Sequence, residues 1–101
     1  MEVINNKEEH QFEIIIDGIK AELVYRLKRK TLFLLHTFVP EDLAGRGVAT
    51  KLAEYALNYA KDNNRRLAVF CPFVSAYVKK HPEWFAYYDP KYHQGPGIPK
   101  E

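Results

Sequence analysis

Hydrophobic residues recur at alternate positions in the first part of the chain, which is typical of β-strands with one buried face. The alternation over residues 12–16 is followed directly by Asp17 and Gly18. Such a pair between two alternating segments predicts a β-hairpin, because both turn positions require a positive φ. The returning strand covers residues 19–27, and its buried face is expected to carry Ala21, Leu23, Tyr25 and Leu27.

A third strand is predicted from Thr31 to Val39, after a short charged turn at residues 28–30. This segment is apolar on both faces as far as His36, and a strand of that kind lies inside a sheet with helices covering it. Pro40 ends the strand, because proline has no N–H to donate to a neighbouring strand.

The rest of the chain alternates helix and strand. Apolar positions three and four residues apart predict a helix over residues 47–63. A short apolar strand over residues 66–70 follows, then a helix over residues 73–80 and an aromatic turn over residues 81–88. The buried stripe of the first helix is expected to consist of Val48, Leu52, Tyr55, Ala56, Tyr59 and Ala60.

This order of elements predicts the fold class. The third and fourth strands, with a helix between them, form a βαβ unit, so they should be parallel with a right-handed crossover. The sequence therefore predicts an α/β (α+β) fold with a mixed sheet, built from an antiparallel hairpin and a βαβ unit with helices packed on it. We expect this domain over residues 1–88, followed by a Pro/Gly-rich C-terminal tail over residues 89–101.

Composition narrows the class of protein. The 101 residues suit one domain, and 47% hydrophobic residues with 28% charged residues are typical of a globular chain. A net charge of +2 predicts neither nucleic acid nor membrane as a partner. One cysteine excludes an internal disulfide and a thiolate metal cage. Without a signal-like or membrane-spanning stretch, we expect a cytoplasmic protein.

The segment from Ala44 to Ala49 carries the clearest chemical signal. It contains Gly45 and Gly47, follows a strand and opens a helix, where free N–H groups and the helix dipole favour an anion. Neither the Walker pattern nor the dinucleotide fingerprint fits, since Thr50 occupies the last position of the latter. A tight turn with a helix cap and no ligand is an equally good interpretation on these residues alone.

Five short segments stand in order along the chain: His36-Thr37-Phe38-Val39-Pro40, Gly45-Arg46-Gly47-Val48-Ala49, Cys71-Pro72-Phe73-Val74, Ala76-Tyr77 and His81-Pro82-Glu83. Together they resemble the short GNAT-like (YjdJ-type) N-acetyltransferase family of the GNAT superfamily. The resemblance spans about residues 12–88, and the first position of its glycine loop, normally Gln or Arg, is Ala44.

The resemblance implies a GNAT-like fold and acetyl-CoA as cosubstrate. The pantetheine of acetyl-CoA would pair with backbone at Thr37, Phe38 and Val39. The pyrophosphate would lie on the N–H groups of Gly45, Arg46, Gly47, Val48, Ala49 and Thr50. This agrees with the general rule that ligands bind at the carboxyl ends of parallel strands.

Two side chains are candidates for the chemistry. Cys71 ends the second parallel strand, so it is expected near the thioester, as an acyl acceptor or as a neighbour of the sulfur. A small buried apolar residue is the competing interpretation. His36 has a side chain suited to a general base, or it is simply a hydrogen-bonded strand residue.

The remaining features are less specific. No histidines stand at ligand spacing on one helix face, so no metal site is predicted. Tyr77 and the aromatic residues of 84–88 line an acceptor pocket or belong to the core. The basic run at residues 28–30 has no aromatic ladder or recognition motif with it, which disfavours nucleic-acid binding.

Two functions follow from the sequence. The first is acetyl transfer from acetyl-CoA to a primary amine of a small molecule or protein, by a monomer or weak homodimer. The alternative is a non-catalytic CoA-binding or protein-interaction module with the same fold, because the chain is shorter than full-length GNAT enzymes.

Overall fold

The computed structural model describes residues 1–100 and contains five strands and two α-helices. It also contains two short 3₁₀ helices, Glu41–Leu43 and Pro82–Tyr87. The strands are β1 (Ile4–Asn6), β2 (Gln11–Ile16), β3 (Ile19–Lys28), β4 (Thr31–Phe38) and β5 (Arg66–Val69), and the helices are α1 (Val48–Asp62) and α2 (Pro72–Lys80).

The strands form one mixed sheet in the order β1-β2-β3-β4-β5. Every neighbouring pair is antiparallel except β4 and β5, which are parallel. The predicted fold class, a hairpin joined to a βαβ unit, is therefore confirmed. Strand β1 was not predicted, because Ile4-Asn5-Asn6 is short and has no apolar alternation.

The hairpin turn has the expected backbone conformation. Asp17 and Gly18 have φ values of 52° and 77°, and Ile16 pairs with Ile19. On β3, the prediction for Leu27 is wrong, since this residue is 39% exposed. Pairing of β2 with β3 ends at Val24, so Leu27 has no neighbouring strand on that side.

Both helices pack on one face of the sheet, where a single hydrophobic core forms. The buried stripe of α1 includes Ala53 and Leu57, whereas the predicted Tyr55 is 38% exposed. Small residues at the centre of the stripe let the helix approach the sheet. Tyr55 and Tyr59 lie at its border, with their ring centroids 5.3 and 5.5 Å from that of Phe12.

The other face of β4 carries no helix, contrary to the expectation of helices on both sides. Phe33 instead contacts Phe70 and Tyr92, with ring centroids 6.2 and 5.0 Å away. Tyr92, from the C-terminal segment, therefore covers part of this face of β4. We call this side of the sheet the open face. Within residues 1–100, no helix is both long and apolar enough to cross a bilayer.

Residues after α2 run along the outer edge of β5. Tyr88 forms a parallel bridge with Leu67, and the Asp89 N–H donates to the Leu67 carbonyl at 2.8 Å. The Val69 N–H donates to His93 Nε2 at 2.9 Å. Exposed backbone groups of an edge strand are thus occupied by the segment that follows it.

Candidate functional site

A glycine loop joins the 3₁₀ helix at residues 41–43 to α1. Gly45 and Gly47 have φ values of 78° and 75°, in the left-handed region where glycine is favoured. A β-carbon at either position would have no protein atom within 4 Å. The loop therefore uses glycine for backbone conformation and leaves open space next to it.

The loop presents a row of free backbone donors. Within residues 1–100, the N–H groups of residues 45–50 have no hydrogen-bond acceptor. The first bond of α1 runs from the Lys51 N–H to the Gly47 carbonyl at 3.0 Å, and the first turn contains no acidic side chain. Free donors at the positive end of a helix dipole can bind an anion such as a pyrophosphate.

Strands β4 and β5 separate just before this loop. Their parallel pairing covers residues 31–34 and 66–69 and then stops. The N–H groups of Phe70 and Cys71 both donate to the Leu34 carbonyl at 2.9 Å. Beyond Leu34, the side of β4 that faced β5 is free along residues 35–38 of the described chain. This free edge can pair with an extended ligand backbone.

A β-bulge at Leu35 changes which side chains face the core. Tyr25 is opposite Leu34, whereas Val24 is opposite His36, so β4 has one extra residue between them. Directly opposed residues share a face, which places Thr37 with the buried Leu23 on the helix side.

Thr37 and Cys71 meet at the point where the strands separate. Thr37 Oγ1 lies 2.9 Å from Cys71 Sγ, and either atom can donate the hydrogen. Cys71 is 1% exposed and stands at the N-cap position of α2. The sulfur is thus held against a hydroxyl at the carboxyl ends of both parallel strands.

His36 and Cys71 are not brought together. The bulge places His36 opposite Val24 on the open face, where it is exposed. Phe38 also lies exposed at the end of β4, with 52% of its surface accessible. A group bound between the separating strands would have Cys71 on one side of the sheet and His36 on the other.

Two cavities lie along the glycine loop and the two helices. The first, ≈ 330 Å³, is lined by Val39, residues of the loop and the start of α1, and Phe73. The second, ≈ 370 Å³, shares Thr50 and Phe73 with it and continues to Tyr77 and His81. Arg46 is exposed and is the one residue of 45–50 that does not line the first cavity.

Tyr77 connects the two helices beside the second cavity. Its hydroxyl donates to Glu54 Oε2 at 3.3 Å, and its ring stacks on His81 at 4.3 Å. Burial, together with the negative charge of Glu54, raises the pKa of Tyr77. The sequence had no local signal for this pair, because the two residues lie on different helices.

Metal binding finds no support in the described part of the chain. No group of three or more His, Cys, Asp or Glu side chains is close enough there to hold an ion. The site instead offers backbone donors, a free strand edge, a buried thiol and a tyrosine hydroxyl.

Comparison with known proteins identifies relatives of this chain. Residues 11–88 match a family model described as GCN5-related N-acetyl-transferase. Protein NATD1 from Danio rerio is 33% identical over 85 residues, which cover 81% of this chain and 77% of that protein. Protein NATD1 from Xenopus tropicalis is 31% identical over 83 residues, which cover 79% and 76%.

A solved structure shares the fold. The NMR solution structure of a GCN5-like protein from Staphylococcus aureus matches with a TM-score of 0.66 and 27% sequence identity. The match covers 87% of this chain and 87% of that one. The family match, the shared fold and the glycine loop are therefore consistent with one another.

Proposed function

The chain belongs to the GCN5-related N-acetyltransferase family, and we propose that it transfers acetyl from acetyl-CoA to a primary amine of a small molecule or protein. The observation that carries the proposal is the row of free N–H groups at residues 45–50, beside a cavity of ≈ 330 Å³. We propose an acetyl-CoA-binding domain over residues 1–88 and a tail over 89–101, since the family match ends at residue 88.

Binding of acetyl-CoA uses backbone more than side chains in this proposal. Its pyrophosphate accepts hydrogen bonds from the N–H groups of Gly45, Arg46, Gly47, Val48, Ala49 and Thr50. Its pantetheine pairs with the free edge of β4 and the residue that follows, at Thr37, Phe38 and Val39. Because Ala44 has no polar side chain, the loop's own N–H groups supply the contacts.

Acetyl-CoA supplies the acetyl group as a thioester. The amine nitrogen forms a bond to the carbonyl carbon, the carbon–sulfur bond breaks, the amine loses a proton and the departing sulfur gains one. A backbone N–H at the strand gap stabilises the carbonyl oxygen as negative charge develops on it. Holding both reactants in the gap lowers the entropic cost of their encounter.

We propose that His36 accepts the amine proton and that Cys71 lies beside the thioester. His36 faces the open side of the sheet, so this role requires the amine to approach the gap from that side. The burial of Cys71 Sγ against Thr37 favours a neighbouring role for the sulfur over a role as acyl acceptor. Intact-protein mass spectrometry after incubation with acetyl-CoA tests this: a 42 Da adduct that is absent in Cys71→Ser contradicts it.

Binding and turnover require separate experiments. A ligand that binds the native state at a hundredfold excess over its Kd should raise Tm by roughly 10–20 °C for a domain of this size. We expect this shift with acetyl-CoA and CoA but not with NAD. Thiol release with polyamines, amino acids and lysine-containing peptides then measures transfer, and His36→Gln should lower the rate without changing the Tm shift.

The separation of His36 and Cys71 across the sheet favours one alternative function. A non-catalytic CoA-binding or protein-interaction module needs the loop but no paired acid and base. A CoA-binding module would show the Tm shift and release no thiol with any amine. A protein-interaction module would show no Tm shift with either CoA species, and that result would contradict both acetyl transfer and CoA binding.

A further inference from the structure

The open face carries exposed aromatic rings at its β4–β5 side. Phe70 is 52% exposed and Tyr92 is 38% exposed. The rings of Phe33 and Phe70 are nearly parallel, at an interplanar angle of 16°, and Tyr92 meets both edge-on. Rings of this kind on a sheet surface can stack against planar ligands.

A basic cavity adjoins these rings at the amino end of β4. Its volume is ≈ 600 Å³, and Tyr92 forms part of its wall. One further cation, Arg26, lies directly opposite Phe33 on β3. The basic residues of this rim are Arg26, Lys28, Arg29, Lys30, Arg66 and Lys91.

The rim concentrates charge that the net charge conceals. It contains six of the fifteen basic side chains and, with Asp89, one of the thirteen acidic ones, a balance of +5. The remaining nine basic and twelve acidic side chains give −3 for the rest of the chain. A field of this asymmetry attracts an anionic ligand to this end of the molecule.

Asp89 gives the basic rim a fixed structure. Its carboxylate accepts hydrogen bonds from the Thr31 hydroxyl at 2.6 Å and the Lys91 N–H at 2.9 Å, and Arg66 lies 3.9 Å away. It thus ties the segment that carries Lys91 and Tyr92 to β4 and β5. The cations come from three separate stretches of chain that the fold brings together.

The rim is remote from the proposed acetyl-CoA site. Thr37 lies six positions after Thr31 on β4, about 20 Å at the rise of a β-strand. Glu22 lies opposite Phe38 at the other end of the sheet, so that end of the open face carries an acidic residue. Binding here can therefore be measured independently of the glycine loop.

We propose that the basic rim and the rings of Phe33, Phe70 and Tyr92 bind single-stranded nucleic acid. Phosphates contact the cations, and bases stack on the exposed rings. An acidic peptide would use the charge but not the aromatic faces. The sequence disfavoured this partner because no aromatic ladder accompanies residues 28–30 along the chain. The fold brings Phe70 and Tyr92 to Phe33 and places Tyr92 in the wall of the cavity that residues 28–30 line.

The stacking contribution is tested with a fluorescein-labelled dT12 strand in fluorescence anisotropy at 50 mM KCl. Tyr92→Leu keeps an apolar contact with Phe33 but removes the aromatic face, and we expect roughly 5- to 150-fold weaker binding. Tyr92→Phe should bind like the wild type. Tyr55→Leu is the matched control, because Tyr55 on α1 has the same 38% exposure.

The charge contribution is tested by salt titration. The double change Lys30→Gln and Lys91→Gln should reduce the slope of log affinity against log salt by about 1.4, since each phosphate contact on a single strand contributes about 0.7. The control exchanges the exposed Lys7 and Lys79 for Gln and should leave the slope unchanged.

Three results would overturn the proposal. These are a Kd above 1 mM for dT12 at 50 mM KCl, equal losses in Tyr92→Leu and Tyr55→Leu, or competition by polyglutamate as effective as that by unlabelled dT12 of equal charge. The last result would indicate an acidic protein segment as the partner. Acetyl-CoA binding by Tyr92→Leu should equal that of the wild type, which keeps this test separate from the proposed transferase activity.

Discussion

In our proposals, the two ends of β4 bind anions by different means. At the carboxyl end, Gly45 and Gly47 present backbone N–H groups at the start of α1, and the exposed Arg46 does not line the cavity. At the amino end, five basic side chains line a cavity beside exposed rings, and a sixth, that of Arg26, lies opposite Phe33. Anion binding by backbone donors depends on the conformation of the loop. Anion binding by long basic side chains depends on charge density, and these side chains can adapt to their ligand.

The largest expected effect is a loss of acetyl-CoA affinity when only the carboxyl end of β4 is altered. Gly47→Asp places a carboxylate and a β-carbon in the anion cradle, so acetyl-CoA affinity should fall at least about 100-fold through repulsion and backbone strain. Isothermal titration calorimetry measures this loss. Gly18→Asp is the control, because Gly18 also has a left-handed φ, of 77°, with open space around it, but lines neither cavity of the site. Equal losses in both variants would contradict the assignment of the loop.

The next largest effect is a loss of unfolding free energy when the amino end of β4 is altered. Asp89→Ala removes a buried carboxylate and its hydrogen bonds to Thr31 and Lys91, which should cost about 2–3 kcal/mol of unfolding free energy. Burial opposes its ionisation, but the hydrogen bonds and the charges of Arg66 and Lys91 outweigh burial, so the pKa of Asp89 is lowered.

The lowered pKa of Asp89 fixes the sign of a pH effect. The folded state binds the proton less readily than the unfolded chain, so this stabilisation is present above the unfolded pKa and is lost as pH falls through the folded one. Urea unfolding from pH 5 down to pH 2 should show a smaller loss of stability in Asp89→Ala than in the wild type. The exposed Asp42→Ala should follow the wild-type curve, and parallel curves for all three proteins would refute the assignment.

The salt dependence of ligand affinity should differ between the two ends of β4. Between 50 and 200 mM KCl, dT12 affinity should fall about 20-fold if three cations contact phosphates. Acetyl-CoA affinity should change only a few-fold, because backbone donors carry most of that contact. Both titrations use the same wild-type protein and the same buffers. Equal salt slopes for the two ligands would show that the ends do not differ in the way proposed.

The smallest expected effect concerns the junction of β4 and β5. Thr37→Val removes the contact between Thr37 Oγ1 and Cys71 Sγ and should lower the unfolding free energy by about 0.5–1.5 kcal/mol. A double-mutant cycle with Cys71→Ala isolates the pair. A coupling energy near zero would mean that the two side chains are neighbours without a stabilising bond.

Local sequence signals predicted most of the fold. The Asp17-Gly18 turn and the helix opening at Gly47 each depend on a few adjacent residues, and the parallel strand pair follows from the order of strand, helix and strand. Each was found where the pattern indicated. The boundaries moved by a residue or so: β4 ends at Phe38 and β5 at Val69, and α2 begins at Pro72, which the first helical turn accommodates.

Features made by tertiary contact were out of reach of the sequence. The bulge at Leu35 reverses the facing of His36 and Thr37, and nothing in Thr-Leu-Phe-Leu-Leu-His-Thr-Phe marks the extra residue. The Tyr77–Glu54 bond joins two helices, and the basic rim joins three stretches of chain. The sequence could therefore predict candidate residues of the site more easily than the face of the sheet on which each residue lies.

The covering of β5 by the residues after Tyr87 has a consequence for solubility. Strand β5 is the last strand of the sheet, and a bare edge is a template for intermolecular pairing and aggregation. Tyr88 and Asp89 occupy the edge at Leu67, and His93 occupies the N–H of Val69. Because Nε2 accepts this bond, a protonated His93 cannot make it, and burial lowers the pKa of His93, which favours the neutral ring. The C-terminal segment therefore occupies an edge that would otherwise be open to intermolecular pairing, and it also carries part of the aromatic surface.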